Sequence, residues 1–365
     1  MKLILDCSNI VHGGYHGTPN YRISGFPMGG IRKLLGIINA EGMHKDIALC
    51  FDGGKTIKKE LHPTYKAGRV PNYAVIAQLD LLQDICRDCG IPFYKSEGYE
   101  ADDYIVSLVQ FLRNTGSAED IEIISDDRDL ACCVDRRTSI KNATSQGISI
   151  NYDSYEERVV KGERIPYNMI LLYKMFYGDR SDHYYGVSIP GLRFDLMAQF
   201  YFDMITPLIE NGTFPANPFT NIAVMKGVID NMPDLSEQDR AKLKKQAELV
   251  FPRQVDVLTA PLEGFVKMLQ EGSPRYLVDR AHLKFFSYTS IDSKKFDMYC
   301  SAMHLNKCKV QRQFHGLDSE LASFKELLSI KAKDLSNGVL AVEHHRSKRA
   351  LPISSKEIED LPLPL

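Results

Sequence analysis

The stretch IISDDRDLACC, residues 123–133, places Asp126, Asp127 and Asp129 within four positions, directly after apolar residues that begin at Ile121. Those apolar residues read as a buried strand. Carboxylates crowded at its end repel one another unless something positive sits between them. Two earlier runs end the same way: KLIL (2–5) leads into Asp6, and IALCF (47–51) into Asp52. Stretches with helical spacing separate them, namely GIRKLLGIINAEG (30–42), AVIAQLDLLQDI (74–85) and ADDYIVSLVQFL (101–112). Strands separated by helices predict an α/β fold with a mostly parallel sheet flanked by helices. In such a sheet, ligands bind beyond the carboxyl ends of the strands, so these aspartates should converge on one mouth.

Two further acidic groups join them. Glu100, Asp102 and Asp103 in GYEADDY open a helix, and Asp179 and Asp182 in YGDRSDH follow the helical run 169–177. Taken singly, each group is an ordinary cap or turn residue. Together, as hard oxygen donors with no histidine at metal-binding spacing, they point to two Mg²⁺ ions, with Mn²⁺ as a substitute. A pair of ions about 3.5–4 Å apart suits in-line displacement at a phosphodiester. No G-x-x-x-x-G-K-[ST] loop is present, which disfavours a nucleoside triphosphatase.

The chain has 365 residues, 44% hydrophobic and 25% charged, with a net charge of −2. That composition is of an ordinary globular protein with about two domains, and only the distribution of charge speaks to partners. MKLILDCSN is too short an apolar start for a signal peptide, and no run approaches the roughly 18 residues of a membrane span. A cytoplasmic monomer, without membrane contact, is expected. Among eight cysteines, Cys86 and Cys89 form a lone C-x-x-C near a helix end. With no second pair to complete a zinc site, they read as buried thiols rather than metal ligands or a redox pair.

Past about residue 165 the pattern turns helical, with MILLYKMFY (169–177), FDLMAQFYFDMI (194–205) and SEQDRAKLKKQAELVF (236–251). TPLIENGTFPANPFT (206–220) looks like a connection. The expected organisation is an α/β domain over 1–165, a helical region over 166–330 and a flexible tail over 331–365.

The order of these motifs resembles the 5′-nuclease superfamily of flap endonucleases, bacteriophage 5′-exonucleases and phage RNase H. The resemblance rests on Asp6, FDG (51–53), YKAGR (65–69), GYEADD (98–103), SDDRDL (125–130) and GDRSD (178–182), with SGFPMGGIRKLL (24–35) after the first strand. It covers residues 1 to about 195. It implies a PIN-like sheet with an arch at about 55–75, and a metal-dependent 5′-3′ exonuclease with flap or RNase H activity in replication or repair. By motif, Asp6, Asp52, Glu100 and Asp102 would surround the first metal, with Asp103 the less certain member of that run. Asp127, Asp129, Asp179 and Asp182 would surround the second, and Lys66 would act at the scissile phosphate. The family's glycine-rich helix-hairpin-helix is matched only in part by YGVSIPGLRFDLMAQF, through Gly186 and Gly191. A duplex-binding region with Arg193 is expected there, and a monovalent cation at the hairpin is in doubt.

A polyanion also needs positive surface. KTIKKELHPTYKAGR (55–69) carries Lys55, Lys58, Lys59, Lys66 and Arg69 against one acid, Glu60. Alone it would pass for a solvated loop. Directly after Asp52, it reads as DNA contact, with Tyr65 and Tyr73 as stacking faces for unpaired bases. Arg32 and Lys33 join the same set. HGGYHGTPNYRISGF (12–26) is a candidate loop at the duplex junction. Expected partners are DNA with 5′ ends, flaps or RNA primers, together with a polymerase or single-strand-binding protein. Two competing functions remain open: a PIN-type endoribonuclease, and a nucleic-acid-binding replication factor without catalysis.

Overall fold

The structure, a computed structural model, describes residues 1–143, 149–152, 157–160, 163–210, 218–253, 283–305 and 318–349. Its centre is a five-stranded sheet, built from β1 (Lys2–Asp6), β4 (Asp46–Cys50), β5 (Ile121–Ile124), β6 (Thr138–Lys141) and β7 (Ser149–Ile150) in the order β4-β1-β5-β6-β7. The first four strands are parallel and only β7 runs antiparallel. The three expected strands are therefore adjacent, with β1 in the middle.

Side-chain alternation assigns the two faces of the sheet. Leu3, Leu5, Ile47 and Leu49 enter one core, while Ile4, Ala48, Ile121 and Ile123 enter the other. The first face is covered by α1 (Cys7–Gly17), α2 (Gly29–Glu41) and α4 (Tyr73–Asp88), preceded by a short hairpin of β2 (Arg22–Ile23) and β3 (Phe26–Pro27). α1 and α2 cross so closely that a Cβ on Gly29 would meet the Gly14 carbonyl at 2.7 Å. Residues 12–17 are thus helical, and the loop expected over 12–26 is half helix and half hairpin.

The second face carries α5 (Ala101–Asn114) and α6 (Ile170–Tyr177), followed by α7 (Phe194–Glu210), α8 (Ile222–Asn231) and α9 (Glu237–Val250). α7 continues through Pro207 to Glu210, so the expected connection at 206 starts later. The helical region is continuous with the core under the sheet: Leu171, Met197 and Leu243 share it with Ile4 and Ile123. Residue 165 therefore marks a change of element type and not a break between cores.

The expected tail also differs from the structure. Asp318–Arg349 is one helix, and Leu328 and Ala332, four apart on one face, are buried against the first core. Phe324, Leu335 and Val339 of the same helix pack against that core as partly buried residues. Residues 350–365 lie outside the described residues. Among the described residues, no helix is long and apolar enough to cross a membrane.

Candidate active site

Because β4, β1 and β5 are neighbours, their carboxyl ends bring three acids together. Asp6 caps α1, with one oxygen accepting from the Asn9 amide at 3.1 Å and the other from Ser125 Oγ at 2.8 Å. Asp52 accepts from the Ala101 amide at 2.8 Å, which joins the end of β4 to the start of α5. Asp127 caps the short 3₁₀ turn Arg128–Cys133, accepting from the Asp129 amide at 2.9 Å. The Asp126 backbone amide donates to Asn9 Oδ1 at 2.9 Å.

These residues line two adjoining cavities. One, of about 640 Å³, includes Lys58, Lys66, Arg69, Asp102, Asp127, Asp129, Lys174, Asp179, Arg180 and Asp182 among its lining. The other, of about 370 Å³, includes Asp6, His12, Asp52, Glu100 and Asp102. Asn9, Lys66, Arg69, Asp102 and Asp127 border both.

The electrostatics follow from this crowding. Burial, then the Asp52 charge, pushes the Asp6 carboxyl up to about 8. Asp127, whose tip is exposed, is pushed up to about 6 by the surrounding protein and then by Asp129. Burial also works to raise Glu100, but Lys58 and Lys66 outweigh it and hold the group well below the usual carboxylate range. Lys58 Nζ lies 2.8 Å from Glu100 and 3.2 Å from Asp102, and Lys66 Nζ lies 2.6 Å from Glu100. Across the cavity, Lys174 pairs with both Asp129 and Asp179. Burial would raise Asp179, but hydrogen bonds from Lys174 and Ser181 bring it down to about 2. Arg69 reaches Asp182 at 2.7 Å.

Among the described residues, no three Asp, Glu, His or Cys donors stand close enough to hold a metal ion as placed. The donor chemistry nevertheless fits a hard divalent cation, since every candidate ligand is a carboxylate. Asp6 and Asp127 carry repulsion that their hydrogen bonds only partly offset, and lysine ammonium groups lie among the remaining acids. Asp6, Asp52, Glu100, Asp102, Asp127, Asp129, Asp179 and Asp182 all line one or both cavities.

Several expected roles do not match the structure. Asp103 is fully buried as the capping partner of α5, its oxygens taken by the backbone amides of Glu100 and Arg253. It is a structural residue and not a ligand. Lys58 is buried by its ion pairs, and Tyr65 is 3% exposed with its hydroxyl on Glu100 at 2.9 Å. Neither presents itself to DNA. Arg32 donates to the Met303 carbonyl at 3.2 Å and lies over the Tyr21 ring, so it holds the C-terminal part in place. Lys33 is half-buried, with burial lowering its pKa and Asp126 raising it. Lys55, Lys59, Arg69 and Arg193 are exposed, Arg193 in an ion pair with Asp195.

Gly186 packs its Cα where an added Cβ would stand 1.7 Å from the Phe176 carbonyl, so close packing and not ligand binding requires it. Gly191 has φ +80° just ahead of α7. Lys174, Asn9 and Ser125 were missed by motif reasoning. Lys174 carried a signal, being the lone charge in the apolar helix ILLYKMFY.

An open, mostly parallel sheet with acids at three adjacent strand ends defines an α/β domain with an acidic site. The family model described as "5′-3′ exonuclease, N-terminal resolvase-like domain" matches residues 1–162. This bears out the resemblance to the 5′-nuclease superfamily. A DNA polymerase I of Caldicellulosiruptor bescii is 32% identical over 203 residues, covering 53% of this chain and 23% of the polymerase. A 5′-3′ exonuclease of Bacillus subtilis is 30% identical over 200 residues, covering 53% of this chain and 64% of its own length. The chain thus spans less than two thirds of these relatives. Among solved structures, a T5 5′-exonuclease is 17% identical with a TM-score of 0.43, covering 68% of this chain and 98% of that one.

Proposed function

We propose that this protein is a metal-dependent 5′-3′ exonuclease that also cleaves 5′ flaps, acting on DNA or RNA–DNA ends in replication or repair. The observation that carries this is the pairing of a carboxylate-lined wall (Asp6, Asp52, Asp102, Asp127, Asp129) with cations at the same mouth (Lys66, Arg69, Arg180). Such a mouth takes a phosphate and the cations that travel with it. The match of residues 1–162 to the exonuclease domain family supports the reading.

Asp6, Asp52, Glu100 and Asp102 would hold one divalent ion, and Asp127, Asp129, Asp179 and Asp182 the other, with Mg²⁺ the proposed species. Bound there, the ions supply the positive charge that activates an attacking water and offsets charge gathering on the phosphoryl oxygens. Lys66 releases Glu100 and turns its ammonium to the phosphate. Lys174 releases Asp129 and Asp179. Tyr65 and Lys58 keep Glu100 and Asp102 in place. A polymerase acting on the same strand is the proposed partner, consistent with the polymerase I relative.

The test is release of label from a 5′-labelled duplex and a 5′-flap substrate with Mg²⁺, with Mn²⁺ and with EDTA, beside single-stranded RNA. Metal-dependent cleavage of the DNA substrates is expected. Cleavage of single-stranded RNA alone would transfer the protein to the PIN-type ribonucleases. Tight binding without cleavage would make it a binding factor.

A further inference from the structure

The first turn of α1 receives the ends of both neighbouring strands. Ser8 Oγ accepts from the Asp52 amide at 3.1 Å, and Asn9 Oδ1 accepts from the Asp126 amide at 2.9 Å. Asn9 also donates its own amide to one Asp6 oxygen at 3.1 Å. Ser125, directly after β5, is 2% exposed and lies between the same two sides. Its hydroxyl donates to the other Asp6 oxygen at 2.8 Å and accepts from the Asp127 amide at 3.0 Å. Two bridges therefore run from Asp6 to the turn that carries Asp127, one through Asn9 and one through Ser125.

The chemistry of these bonds makes the Ser125 bridge the stricter one. As a metal ligand Asp6 is ionised and can only accept, while the Asp127 amide can only donate. A hydroxyl has one proton to give, so both of its bonds have a forced direction. Each Asp6 oxygen keeps a further lone pair for an ion. Asp6 belongs to the first proposed group of ligands and Asp127 to the second. Two ions act on one phosphodiester when they stand about 3.5–4 Å apart. Ligands that serve such a pair must hold their places to within about 0.5 Å. Ser125 borders neither cavity, so it reaches the site only through Asp6 and Asp127; Asn9 borders both.

We infer that Ser125 is a positioning residue, aided by Asn9, which sets the spacing of the two ion-binding groups by tying the Asp6 carboxylate to the backbone at Asp127. The inference rests on the two-ion reading of the site. Removing a hydrogen-bond partner of a metal ligand typically costs about 10–100-fold in metal affinity or activity.

The experiment titrates Mn²⁺ into the full chain without nucleic acid and follows the free ion by electron paramagnetic resonance. Wild type, Ser125→Ala, Ser125→Thr and Asn9→Ala are compared. Wild type is expected to take up two ions. Ser125→Ala should bind both about 10–100-fold more weakly, and Asn9→Ala should weaken them in the same direction. Ser125→Thr, which keeps the hydroxyl, should recover most of the affinity. A side chain that only supports the fold would lower thermal stability in EDTA and leave ion affinity unchanged. That result for Ser125→Ala overturns the inference, as does a loss confined to one ion. Ser125→Thr as weak as Ser125→Ala, with a wild-type unfolding curve, overturns it too. Should Ser125→Ala fail to fold, Asn9→Ala at its half-buried position decides, and wild-type affinity there overturns the bridge. A wild type that takes up fewer than two ions overturns the two-ion reading, and the bridge with it. Two ions in wild type and equal affinity in every variant overturn the bridge alone.

Discussion

Neighbouring lysines in KTIKKELHPTYK do different work because their surroundings differ. Lys58 is a buried cation whose removal takes the ammonium away from Asp102 and leaves Glu100 with Lys66 and the Tyr65 hydroxyl alone. Breaking such a pair from one side costs about 3–5 kcal/mol. Lys58→Ala is therefore expected to lower stability by that order in urea denaturation. Lys66 is a quarter exposed and adopts φ +50° in a turn tied to Asp182, so its ammonium is held at the cavity but free to exchange partners. Lys66→Ala is expected to slow single-turnover cleavage at saturating enzyme about 10²–10³-fold, the typical effect of losing a donor to transition-state charge. A wild-type rate at saturation would reduce Lys66 to a binding residue.

Between elements, two close fits carry consequences. Gly186 lies against the backbone at the end of α6, and the Val187 amide donates to the Met175 carbonyl at 3.0 Å. Gly186→Ala forces that loop away from α6 and is expected to cost at least about 1–3 kcal/mol, read from the urea midpoint. Because the loop also carries Asp179 and Asp182, cleavage should fall with it. At the end of α4, Cys86 and Cys89 are both buried in the first core, and burial pushes the Cys89 thiol up to about 12. Such thiols are inert and act as small apolar groups. Cys86→Ser with Cys89→Ser should keep metal-dependent cleavage while losing about 1–3 kcal/mol of stability. Stoichiometric zinc in the purified protein would reverse that assignment.

Across the whole molecule, the site stores repulsion that the fold tolerates only with a counter-charge at hand. The acids come from three strand ends, the start of α5 and the loop after α6, so a divalent ion binding among them ties both halves of the chain together. Ligands that bind only the folded state stabilise it by mass action. Mg²⁺ is expected to raise the Tm of wild type, and Asp127→Asn to shrink that rise. Without metal, Asp127→Asn should match or exceed wild-type stability, because it removes a charge that the surrounding protein and Asp129 disfavour. The same variant should not cleave, yet should bind DNA at least as tightly as wild type. Turnover within tenfold of wild type would remove Asp127 from the metal site.

The sequence by itself determined the parallel α/β sheet, since apolar runs of four or five residues ending in aspartate are a local pattern that needs no knowledge of the partner strand. It also determined which carboxylates line the cavities, because they close recognisable strands, open a recognisable helix or, as Asp179 and Asp182 do, follow one directly. Local pattern cannot report what a side chain meets from a distant segment. Only tertiary packing made Asp103 a buried cap, turned Lys58 and Tyr65 inward on Glu100, and placed Lys174 between Asp129 and Asp179. Packing likewise ordered residues 331–349 as a helix whose polar sequence docks through Leu328 and Ala332. It also set α9 against the basic segment 58–69, through the short helix Lys58–Leu61 (α3). Those outcomes depend on which charges and apolar faces lie within a few ångströms after folding, a relation between positions 35 residues apart for Tyr65 and Glu100 and 150 apart for Asp103 and Arg253.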